Sequence, residues 1–162
     1  MATTEGRSAE KAVKAAVFAA LNVAALTTTL GSSATPPYTV SVHGKVPQTL
    51  TYPLVRVDAA GEVSNSAFGR NAKECRVFVQ VFDNDPSDLR VLDIQSQVIA
   101  LMNRAGGYHT LGTTADAVLT AAGYRLTHVN YDGIQPREPG DEGNAVAVWQ
   151  RTVMFTLRVE EV

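Results

Sequence analysis

One cysteine, one tryptophan and three histidines are all the thiol, indole and imidazole that 162 residues offer. With Cys75 alone, no intrachain disulfide can close and no thiolate metal cluster can assemble, so an intracellular, reducing site of synthesis is expected. His43, His109 and His128 lie far apart and have no ligand-like spacing with carboxylates. Charge of one sign is scarce too. Fourteen Lys and Arg against sixteen Asp and Glu leave a net −2, which disfavours wrapping of a nucleic-acid backbone. No apolar run reaches the ~18 residues of a membrane span. No Gly-rich phosphate cradle is present, because Ala105-Gly106-Gly107 follows a helical pattern instead of opening one.

The remaining candidates for chemistry have plainer readings. Cys75 sits in the apolar register of a strand, which favours a buried thiol over a nucleophile. The acids of DNDPSD (83 to 88) lack the ligand alternation, the Gly and the distal Glu of a calcium loop, so helix capping accounts for them better. REPGDEG (137 to 143) gathers Glu138, Asp141 and Glu142 in what reads as a solvated loop. Ser64 and Ser66 have no base implied by spacing. His128 shares the face of Leu126, where a packed histidine is expected. The sequence points to no catalytic residue, no cofactor and no metal.

What is present is a set of clear periodicities. Lys11 and Lys14 ahead of AAVFAALNVAAL imitate a signal peptide. Val13, Ala16, Val17, Ala20, Leu21 and Ala24, however, fall on one helical stripe, so a packed first helix from about Ala9 to Thr28 is expected, with Ser8 as N-cap and Gly31 as stop. Residues 38–44 and 52–60 read as strands, and 61–72 as a mobile Gly/Ser/Asn-rich segment. In KECRVFVQVFDNDPSDLRVLDIQSQVIALM (73 to 102), Cys75, Val77, Val79 and Val81 alternate on one face. A helix capped by Asp85 and opened by Pro86 then carries the stripe Val91, Ile94, Val98 and Leu101. Residues 108–123 are consistent with either a short helix near 116–121 or a ragged strand. Strands are expected at 124–132 and 147–160, the latter with Trp149, Val153, Phe155, Leu157 and Val159 on one face together with Arg151. Asp132-Gly133 suggests a tight turn, but no strand follows at once.

This order implies one α+β domain over residues 8–162, preceded by a flexible arm at 1–7. Its core is an antiparallel sheet of four to five strands with two main helices packed on one face.

The pattern resembles the tail terminator (tail completion) proteins of long, non-contractile-tailed bacteriophages, over about residues 10 to 161. The likeness rests on the Ala-rich helix KAVKAAVFAALNVAAL, the proline-led YPLVRVD, the strand-turn-helix RVFVQVFDNDPSDLRVLDIQSQVIALM, and the closing AGYRLTHVNYDG and WQRTVMFTLRVEE. Segments 107–123 and 133–145 depart from the family pattern. The resemblance implies a non-enzymatic virion protein, made in the host bacterial cytoplasm and located at the head-proximal neck of the tail. It implies a ring, a hexamer, that caps the tail tube, stops its polymerisation and offers a surface to the head-tail connector. DNA would pass through its lumen without sequence-specific binding, and no membrane is involved. Phe68, Arg70, Gln135, Arg137, Glu138, Asp141 and Glu142 are the candidate protein–protein contacts. Another neck or connector adaptor is the alternative role, and a small-ligand-binding α+β domain a more distant one.

Overall fold

The computed structural model describes residues 8–28, 38–45, 48–65, 71–103, 110–137 and 148–162. Among these residues five strands, β1 (Ser41–His43), β2 (Leu54–Asn65), β3 (Ala72–Asp83), β4 (Tyr124–Arg137) and β5 (Trp149–Glu161), form one sheet in the order β1-β2-β3-β5-β4. Among the described residues four helices accompany it: α1 (Glu10–Leu21), α2 (Ala24–Thr27), α3 (Leu89–Met102) and α4 (Thr113–Ala121). The fold is α+β, as the run of adjacent strands implies. All ladders are antiparallel except the short β1–β2 edge, which is parallel.

Alternation decides which face is covered. Val77, Val79 and Val81 of β3 and Val153, Phe155, Leu157 and Val159 of β5 are buried, with Cys75, under α1, α3 and α4. Each such apolar side chain contributes about 1.5–3 kcal/mol by leaving water. In α1, Ala12, Val13, Ala16, Val17, Ala20 and Leu21 are buried, and the alanines let the helix lie close to β2 and α4. The stripe ends where Asn22 takes ψ 59°, followed by extended Val23, so the expected long helix is two pieces and Ala24 is exposed. Asn competes for its own backbone and favours such ends. Gly31 lies outside the described residues. In α3, Val91, Ile94, Val98 and Met102 are buried, with Leu101 beside them half-buried.

The structure corrects several expectations. Helix α3 starts at Leu89, because the acids ahead of it are used in turns: Asp83 accepts the Asn84 N–H at 2.8 Å and Asp85 the Ser87 N–H at 2.9 Å. Of the segment expected to be mobile, residues 61–65 belong to β2 and Ala72 opens β3, while residues 66–70 are outside the described set. Residues 113–121 are helical. Asp116 folds back to accept the Leu111 N–H at 3.0 Å and bonds the Thr110 hydroxyl, an N-terminal brace for α4. Asp132-Gly133 is a bulge within β4, Gly133 taking φ +124°, and the strand continues to Arg137. A second bulge between Leu126 and His128 turns His128 to the exposed face while Leu126 stays buried.

Candidate interaction surface

Two polar knots fix the ends of the sheet. At one end, β2 carries a bulge between Ala59 and Glu62, with Gly61 at φ +109°, a backbone that a side chain rarely tolerates. The extra residue shifts the alternation by one and turns Glu62 towards the helices, opposite Cys75. Its carboxylate accepts the N–H groups of Ala9 at 2.6 Å and Glu10 at 3.2 Å and the Ser8 hydroxyl at 3.2 Å. Ser8 therefore does not cap α1; a strand carboxylate does, favoured also by the positive end of the helix. Lys73, 5% exposed, lies 3.0 Å from Glu62 and 3.9 Å from Glu161, and 6.0 Å from the centre of the Tyr124 ring.

Burial alone would raise the Glu62 carboxyl. The Lys73 hydrogen bond, the Ala9 N–H, the charge of Lys73 and the Glu10 N–H outweigh it and carry the pKa below the usual range. For Lys73, burial works downward, but the Glu62 bond and the charges of Glu62, Tyr124 and Glu161 raise the ammonium. Burial first, then Glu62 and Glu10, push the Cys75 thiol up to about 12, with Lys73 offsetting only part. Such a thiol is a poor nucleophile.

At the other end, fully buried Asp83 receives a fork from Arg90, Nε at 2.6 Å and a second guanidinium nitrogen. The Arg90 guanidinium sits 5.6 Å from the centre of the Tyr38 ring. Burial, then Asp93, raises the Tyr38 phenol, Arg90 opposes and Asp83 adds, leaving it at about 12. Trp149 donates its indole N–H to the Asp85 carbonyl at 3.0 Å, tying β5 to this turn. Both knots join elements to each other, and their charges satisfy one another.

The sheet face away from the helices is different. Arg56, Glu74, Arg76, Phe78, Gln80, Phe82, Thr152, Met154, Thr156 and Arg158 point to it, most of them half-buried. Phe78 faces Met154 across the β3–β5 ladder, giving this face an apolar centre between charged flanks. Nearer β4, a shallow open concavity of about 650 Å³ is bordered by Glu74, His128, Asn130, Thr156, Arg158 and Glu160. Arg158 stands opposite Glu74 in the register, and Arg125 pairs with Glu160 at 3.1 Å. Opposite charges in alternation, open to water, suit contact with another macromolecule better than acid–base chemistry. No group of three His, Cys, Asp or Glu able to hold a metal occurs among the described residues.

The sequence-derived contact residues are only partly visible. Gln135 is exposed in β4, and Arg137 ends that strand opposite Gln150. Phe68, Arg70, Glu138, Asp141 and Glu142 lie outside the described residues. The outer-face residues Phe78, Met154 and Arg158 were not singled out from sequence. Their signal was the second face of each alternating strand, which is mixed rather than purely polar.

An α+β domain with its helices on one side and a half-buried, mixed sheet face on the other is the class that the geometry defines. Within that class, the chain is similar to a solved chain from the virion of a native gene transfer agent (GTA) particle. The TM-score is 0.53 and the identity 16%, and the match covers 96% of this chain and 99% of that one. The likeness shows a shared fold. No family model matches the chain, and no curated protein matches it in sequence.

Proposed function

We propose that this chain is a structural protein of a tailed, phage-like particle and that it acts as a tail terminator. In this role copies form a ring, a hexamer, on the head-proximal end of the tail tube, arrest its polymerisation and present a surface to the head-tail connector. The observation that carries the reading is the fold likeness to a chain of a gene transfer agent virion, which runs over nearly the full length of both chains. The sequence resemblance, which covers the same span, supports the finer role. A near-neutral net charge suits a lumen through which DNA passes without adhering. The acidic segment with Glu138, Asp141 and Glu142, and the segment with Phe68 and Arg70, are the proposed contacts with tube and connector.

Electron microscopy of particles lacking this protein tests the role. Overlong, headless tails are the expected result. Tails of normal length that fail to join heads would assign the chain to a connector adaptor instead, and intact infectious particles would remove both readings.

A further inference from the structure

Among the described residues the sheet ends in two strands, β1 and β4, and the two edges are unlike. On one side β1 pairs with β2 only at Leu54–Arg56, so among the described residues no strand lies beside β2 from Val57 onward. On the other side, among the described residues, β5 is the strand that pairs with β4. An edge strand presents a row of backbone donors and acceptors ready to pair with another chain. Val63 of β2 is 67% exposed and Tyr131 of β4 is 41% exposed. They are two of the five large exposed apolar side chains among the described residues, Val63 on the outer face opposite Glu74 and Tyr131 on the helix-side face against Phe155. Elsewhere β4 is protected in the usual ways, by Arg125, by two bulges and by Pro136 near its end.

The geometry points to a specific contact: the middle of β4 in one copy pairs with the Val57–Asn65 edge of β2 in the next copy. Direction supports it. β3 runs against β2, β5 against β3, and β4 against β5. β4 is therefore antiparallel to β2 of its own chain. In a ring whose axis runs along the strands, direction is preserved, and there β4 of one copy would meet β2 of its neighbour antiparallel, the more stable ladder. The contact is heterologous, each copy using both edges once, which is what a closed ring requires. The β1 strand, ending opposite Arg56, limits how far the two edges can slide.

This inference rests on the ring reading, and the test separates the two. The intact chain and the variants Val63→Lys and Tyr131→Lys are measured by size exclusion with light scattering. The ring is expected for the intact chain and single-copy mass for each variant. Mixed in equal amounts, the two variants are expected to give a two-copy species, because the good β4 edge of Val63→Lys meets the good β2 edge of Tyr131→Lys. Variants that keep the full ring mass would overturn the edge contact and leave the ring standing. A mixture that stays single-copy would overturn the pairing of these two edges. An intact chain that is single-copy, even with tail tubes added, would overturn ring and contact together. Thermal melts check folding, and Asn130→Lys, at an exposed position, replaces Tyr131→Lys if that variant melts early.

Discussion

The carboxylate of Glu62 in β2 and the backbone N–H of Ala9 at the head of α1 are 2.6 Å apart, across 53 positions of sequence. The same carboxylate holds Lys73, so one side chain caps a helix and neutralises a buried ammonium. Removing it as Glu62→Ala leaves Lys73 with the more distant Glu161 and strips the helix end of its acceptor. A loss of roughly 3 kcal/mol is expected, seen as a melting point lower by about 10 °C.

The pH dependence follows from the same pair. Glu62 has a folded pKa below its unfolded one, so its contribution is present above the unfolded value of 4.5 and is lost as pH falls through the folded value. Lys73 is the reverse: its contribution is full below 10.5 and disappears as pH rises through its raised folded value. Urea midpoints measured across pH should fall on both limbs. Glu62→Gln is expected to flatten both, the acid limb because the carboxyl is gone and the alkaline limb because Lys73 has lost its main partner.

Cys75 gives a readout independent of heat. A buried thiol with its pKa at about 12 should resist aromatic disulfide reagents at pH 8 in the native protein. Labelling is expected to track unfolding, rising with urea along the same transition as the circular dichroism signal. Fast labelling without denaturant would show that the β2–β3 end opens on its own.

Asp83 and Arg90 provide a second clamp. Arg90→Ala leaves a fully buried carboxylate and is expected to cost about 3–5 kcal/mol. Arg90→Lys should recover only part, since a single ammonium cannot reproduce the fork. The double variant Asp83→Asn with Arg90→Ala should be milder than Arg90→Ala alone, as read by urea unfolding.

The proposed contact segment has its own test. Replacing Glu138, Asp141 and Glu142 by Ser, or deleting 138–146, is expected to abolish tail joining with the melt nearly unchanged. The deletion stops short of 134–137 because those residues belong to β4. A collapse of the melt would give that segment a part in stability instead.

Much of this fold is legible in the chain. The valines of β3 and the stripe of α3 announce their faces because 2.0 and 3.6 residue periods need no partner to be seen. The strand Trp149–Glu161 was equally plain. What escaped were the places where one residue changes the count. The bulge at Ala60-Gly61 turns Glu62 inward, and no local pattern marks it as the cap of a helix fifty residues earlier. The bulge before His128 likewise moves that side chain from the packed face to the open one. Ser8 is a good local capping residue, and it lost to a carboxylate supplied by tertiary structure. The outer face was legible in β3 alone, where Phe78 alternates against the valines on a mixed face; that Met154 joins it opposite Phe78 needed the β3–β5 register.

The polar knot around Glu62 also brings Ser8 and Val162 to one end of the sheet. Ser8 bonds Glu62 at one end of the sheet, and at that same end the Glu161 N–H meets the Asn71 carbonyl and the Val162 N–H meets that of Gly123. A gold cluster or fluorescent domain joined through Ser8 or through Val162 therefore decorates one pole of the domain, opposite the turn that holds Asp83 and Trp149. Viewed on assembled particles, such a tag would report which pole faces the head and which faces the tail.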